Sequence, residues 1–137
     1  MPDFAMLDAL ARSLPETTVR YSTDDRPDYA VRGKRFLLLR GRRKDAIDPV
    51  TREPMDDVLM IRTSGLEAKD ALLADASLPL FTTPHFDGWP AVLLRVRDLG
   101  RVPDERLQEL VVQAWATQAP KRLVTAWMAE QERGGDG

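Results

Sequence analysis

The sequence predicts an α+β domain: a mainly antiparallel sheet with its helices packed on one face. Three observations predict it. Short stretches that alternate apolar and polar residues follow one another across turn-length connections, as hairpin-paired strands do. Apolar residues at helical spacing open and close the chain. Gly33 stands between Val31 and Phe36, where a tight hairpin needs a residue that tolerates positive φ.

Taken in order, Phe4, Leu7, Ala11 and Leu14 repeat at helical spacing behind Asp3, a good cap, so residues 4–13 read as a first helix closed by Pro15. Val19 with Tyr21, and Tyr29 with Val31, read as two half-buried strands joined by a polar turn with Asp24, Asp25 and Pro27. Residues 36–40 continue as a third strand and residues 58–62 as a fourth. Between them, residues 41–57 hold Pro49, Pro54 and mixed charges without periodicity, a long connection that reads as either mobile or functional. Ser64 with Glu67 gives a capping-box spacing ahead of Leu66, Leu72 and Leu73, which predicts a second helix to about residue 76. Phe81 and residues 91–96 read as further strands about an Asp87-Gly88 turn, the nearly continuous apolar run of the second marking it as central. Pro103, Asp104 and Glu105 open a third helix with Leu107, Leu110, Val111, Ala114 and Trp115 on one stripe. Pro120 opens a last short helix with Leu123, Val124, Trp127 and Met128.

A chain of 137 residues has the size of one domain, so residues 1–133 are read as a single unit and residues 134–137, with nothing to bury, as a disordered tail. Cysteine is absent and histidine occurs once, which excludes disulfides, thiolate metal sites, iron–sulfur clusters and Cys–His catalysis. The acidic start is unlike a signal peptide and the longest apolar runs are four residues, as at 36–39, far below the roughly 20 of a membrane span. A cytoplasmic location is the expectation, with no membrane partner. A net charge of −2 argues against binding nucleic acid with the whole surface, so any such contact must be local.

The chain resembles the MmcQ/YjbR family of small bacterial α+β domains, whose sheet and helices are similar to a CyaY-like arrangement. The resemblance rests on Leu14-Pro15-Glu16, then on Val31-Arg32-Gly33-Lys34-Arg35-Phe36, which is similar to the family's V-x-G-K-x-F hairpin. It continues through residues 58–61, Pro84-His85-Phe86-Asp87-Gly88-Trp89, the strand at 92–94 and the helix at 107–115, covering residues 7–124. Ala114-Trp115 stands where many members show Ser-Tyr, and the 41–57 connection is longer and more basic at its start than in a compact member. The resemblance implies the fold and a DNA-binding role by analogy with a double-wing sheet. It carries over no catalytic residue.

Arg32, Lys34, Arg35, Arg40, Arg42, Arg43 and Lys44 all fall between residues 29 and 44, a span without an acid. On a hairpin, alternate residues share a face, so these cations could form a projecting ribbon that tracks phosphates. The competing reading is a solvated face that keeps the hairpin soluble, neutralised by Asp24, Asp25, Asp28, Asp45 and Asp48. Without Asn or Gln beside the ribbon, binding should be weakly sequence-specific.

His85, Asp87 and Trp89 form a second conspicuous group, which reads as a general base or as a ligand wall near the open sheet face. No nucleophile is placed near His85, so no catalytic triad is read, and the structural expectation is a turn shaped by Pro84 and Gly88 with Trp89 anchored in the core. The acid pairs Asp24-Asp25 and Asp56-Asp57 lack the further ligands a metal needs. Trp115, Trp127 and Met128 are assigned to the core, so no cofactor is expected. The expected function is a non-enzymatic module for DNA or another polyanion, as a monomer or weak dimer. The alternative is a protein-interaction or small-ligand module on the open face near Trp89, and a third reading is an enzyme built on His85.

Overall fold

Asp3 does cap the first helix. Its carboxylate accepts from the Met6 amide at 2.9 Å, fixing the start of α1 (Phe4–Ser13). The computed structural model describes residues 2–135. Beyond α1 it comprises β1 (Thr17–Tyr21), β2 (Pro27–Val31), β3 (Lys34–Leu39), β4 (Val58–Arg62), α2 (Leu66–Ala74), β5 (Ala91–Arg95), α3 (Asp104–Gln118) and α4 (Lys121–Gly135). The strands form one antiparallel sheet in the sequential order β1-β2-β3-β4-β5. This is the α+β architecture that the sequence predicts.

The β2–β3 hairpin turns on Arg32 at φ 49° and Gly33 at φ 80°, while Val31 pairs with Lys34. Two consecutive positive φ values suit the right-handed twist of the flanking strands. Gly33 takes this conformation without strain, whereas Arg32 takes it against its Cβ.

Alternation along the strands separates two apolar layers. Tyr29, Val31, Leu37, Leu59, Ile61, Val92 and Leu94 meet α1 and α3 in the main core, where Trp115 is fully buried. Val58, Met60, Ala91 and Leu93 point the other way and are covered by Ala46, Met55 and Phe86. The face opposite the helices is therefore only half open, because residues 41–57 and the loop after α2 fold back over β4 and β5.

Residues 41–57 are held in place. Asp48 and Glu53 close a turn, Met55 donates its amide to Ala46 at 2.9 Å, and Asp48 is nearly buried against Arg95. Hydrogen bonds from Arg95 first, and then from the Val50 amide, pull the Asp48 carboxyl down from 3.8 to about 2. Its folded value is depressed, so its stabilisation is complete above the unfolded value and disappears as pH falls through about 2. Asp48→Asn should melt below the parent at neutral pH, with a gap that closes toward pH 2. Thermal melts across that range measure it, and a gap independent of pH would remove the assignment.

Four expectations are corrected. Ser64 does not cap α2: Gly65 occupies the cap without a side-chain bond, and the Thr63 hydroxyl donates to the Gly65 carbonyl instead. Leu66 is exposed, and the buried side chain of that helix is Lys69. β5 is a terminal strand rather than a central one; its apolar run is explained by burial on both faces and by Phe81, which exchanges two backbone bonds of 2.9 Å with Leu93 along the outer edge. The last helix is 15 residues long, with Leu123, Val124 and Trp127 against the core and Met128 exposed. Gly134 and Gly135 belong to its final turn, while residues 136–137 of the expected tail lie outside the described residues.

Candidate functional site

The seven cations do not make one ribbon. Arg32 and Lys34 sit at the hairpin tip, whereas Arg40, Arg42, Arg43 and Lys44 follow the far end of β3, about 20 Å away at ~3.4 Å per strand residue. Arg32 holds Glu16 through two bonds of 2.8 and 3.2 Å, which keep that carboxyl below its ordinary range. Arg35 lies 2.9 Å from Asp28, and Arg42 lies 3.5 Å from Glu53.

Arg40 does not project at all. It is 7% exposed, grips Asp45 at 2.8 and 3.0 Å, and stacks over the Phe86 ring at 4.7 Å. It is a structural post that lowers the Asp45 carboxyl. Lys34, Arg43 and Lys44 are exposed, and among the described residues no carboxylate lies within 4.0 Å of them.

What the fold does assemble is a groove on the open half of the sheet. Its volume is about 900 Å³, and it runs between the turn at residues 22–26, residues 40–43 and the loop at residues 85–89. Leu38, Met60 and Phe86 provide apolar floor, and Arg35, Arg42, Arg43, His85 and Trp89 line it from several sides. Five arginines line it with two aspartates, Asp24 and Asp28, while Asp45 and Glu53 pair with Arg40 and Arg42 from outside the lining, which leaves Arg43 as the arginine without a carboxylate within 4.0 Å among the described residues.

Asp28 sits on β2 opposite Leu38, and burial pushes its carboxyl up against the opposing pull of Arg35. Arg26 is spent internally: it binds Asp24 at 2.8 Å and the Arg40 carbonyl at 2.7 Å, and it also reaches the Asp56 carbonyl. It ties the turn at residues 22–26 to the rim where Arg42 and Arg43 stand.

The 84–90 loop also departs from expectation. Phe86, not Trp89, is its buried anchor, and Trp89 is 50% exposed on the groove wall. A turn centred on Gly88, at φ 81°, lets the chain reverse between them. His85 is exposed, with its Nε2 3.6 Å from Asp45, and Asp87 is exposed outside the groove lining. The expected trio thus divides: His85 and Trp89 share the groove and Asp87 does not. Ser77 donates its hydroxyl to Asp75 at 2.6 Å, and Ser64 lines a separate small cavity between α2 and α3.

Two side chains that no sequence motif marks support this loop. Lys69 is 4% exposed and donates from Nζ to the Phe86 carbonyl at 2.6 Å and the Trp89 carbonyl at 2.8 Å. Arg62, at the end of β4, places its guanidinium 4.9 Å from the Trp89 ring centre. The signal for Lys69 was its spacing, since it falls three and four residues before Leu72 and Leu73, on a face where an apolar residue is expected. No local pattern marks Arg62.

Among the described residues no cluster of three acidic or histidine side chains could hold a metal ion, and no helix is long and apolar enough to cross a membrane. A family model described as YjbR matches residues 12–117, a stretch that includes the hairpin, the groove and nearly all of α3. The chain belongs to the YjbR family. Relatives from Mycobacterium tuberculosis and Mycobacterium bovis are 42% identical over 106 residues, covering 74% of this chain and 80% of each relative. Each is named an uncharacterized protein, so these YjbR relatives assign no activity. No solved structure matches.

Proposed function

We propose that this YjbR-family chain is a non-enzymatic nucleic-acid-binding module whose phosphate contacts lie in the groove on the open sheet face. The observation that carries the reading is the pair Arg42 and Arg43 on the groove rim, Arg43 with no carboxylate within 4.0 Å among the described residues and Arg42 with a single exposed one, in a chain that is acidic as a whole. Arg42 is held by one exposed carboxylate at 3.5 Å, a pair that phosphate can displace at little cost. Arg35 adds a third cation from β3, while Arg26 and Arg40 are committed to the framework. Phosphate contacts position a strand without reading its sequence, so weak sequence preference is expected.

Fluorescence anisotropy of labelled oligonucleotides over a range of salt concentrations tests this. With about three phosphates contacted, log affinity for a single strand should fall with log salt at a slope near −2. Arg42→Ala/Arg43→Ala should remove about 1.4 of that slope and weaken all sequences alike, at little cost to folding. Absence of binding by the parent at low salt, or an unchanged slope in the variant, would sink the reading. The second reading is a small-ligand module, favoured by a groove volume of about 900 Å³ within the range of small-molecule sites. It predicts that a mononucleotide displaces the strand completely.

A further inference from the structure

We infer that Trp89 is a stacking platform for an unpaired base, so that the groove takes single-stranded rather than duplex nucleic acid. The inference rests on the phosphate-binding reading above and names the class of strand that reading leaves open. Tryptophan carries the largest apolar surface of any side chain, and folding ordinarily hides most of it. Here the loop buries Phe86 to 8% exposure and leaves Trp89 at 50%, facing the arginine-lined groove.

The exposed ring is nevertheless held firmly. The Trp89 amide donates to the Phe86 carbonyl at 3.0 Å, and its carbonyl accepts from Ala91 and from buried Lys69, each at 2.8 Å. Arg62 holds its guanidinium 4.9 Å from the ring centre, a cation–π contact that backs the indole. A platform fixed before the ligand arrives loses little freedom on binding.

Strand class follows from what each nucleic acid presents. In a duplex the bases are stacked on one another and offer only their edges, so an indole meets a π-face only after costly unstacking. A single strand offers its base faces directly, and stacking on an aromatic is worth about as much for any base. Asp24 and Asp28 also line the groove, where Arg26 and Arg35 pair with them at 2.8 and 2.9 Å, so the backbone falls to Arg42, Arg43 and, in exchange for Asp28, Arg35.

The test compares three labelled probes at one salt concentration: a ~15-nucleotide oligothymidine, an abasic strand of the same length, and a duplex of that length. Parent, Trp89→Ala and Trp89→Phe proteins are titrated with each. The parent should bind the abasic strand about tenfold more weakly than oligothymidine, the duplex should also be weaker, and Trp89→Ala should lose about tenfold on oligothymidine alone. Trp89→Phe should keep most of the affinity. Binding should quench tryptophan emission in the parent and not in Trp89→Phe, because Trp115 is buried and Trp127 packs on the core.

If the parent binds abasic strand and oligothymidine equally, or prefers duplex, stacking is overturned and the phosphate reading stands. If it binds no probe at low salt, both fall. The abasic comparison uses the parent alone and holds even if Trp89→Ala is unstable.

Discussion

Trp115→Ala is expected to cost about 3–5 kcal/mol, the range for emptying a large aromatic site in a packed interior. Trp115 lies on the buried stripe of α3 with 0% exposure, and its indole N–H donates to the Pro15 carbonyl at 3.0 Å. That bond ties α3 to the connection between α1 and β1. Trp127 meets the ring edge-on at 5.7 Å between centroids, so the same substitution loosens α4. Denaturant unfolding with an unchanged m-value should record the loss, and thermal unfolding should fall by roughly 10 °C. A loss under about 1 kcal/mol would mean that the helix face collapses around the cavity and that the ring is not a keystone of the core.

Lys69→Met should cost about 2–3 kcal/mol, although methionine fills much the same space. Lys69 brings a charged donor to two carbonyls, and hydrogen bonds to charged groups contribute about 1.5–3 kcal/mol each. The expected loss is below the sum because the Phe86 carbonyl keeps the Trp89 amide and the Trp89 carbonyl keeps the Ala91 amide. The effect should be local. Amide exchange should quicken across residues 86–91 while α3 keeps its protection, and oligonucleotide affinity should fall with the loosening of Trp89. A variant as stable as the parent would show that α2 positions this loop by packing alone.

Much of the fold was legible in the sequence because its elements are specified locally. Asp3 caps α1 by a bond three residues away, Gly33 turns the hairpin with its own φ, and the α3 stripe repeats at helical spacing. The failures mark where distant neighbours overrule a local signal. Ser64 has the cap spacing, but Gly65 takes the cap; residues 91–94 look central, but both faces are covered at the sheet's end. Trp89 has the composition of a core anchor, yet Phe86 three residues earlier fills that place.

The basic cluster shows the division most clearly. Its existence, its lack of intervening acids and its position after a hairpin are properties of the sequence. Its electrostatic meaning is not, because charge is cancelled or left free by partners that only folding brings near. Glu16, Asp28, Asp45 and Glu53 each take one arginine, and Arg40 is turned inward beneath Phe86. By itself the sequence determined the α+β layering, since periodicity and turn chemistry act within a few residues, and its hairpin and 84–89 motifs carried the resemblance to the family. Only the tertiary structure decided which arginines meet Trp89 in one groove, because that meeting depends on residues 41–57 and 84–90 folding back over β4 and β5, and no spacing along the chain encodes that contact.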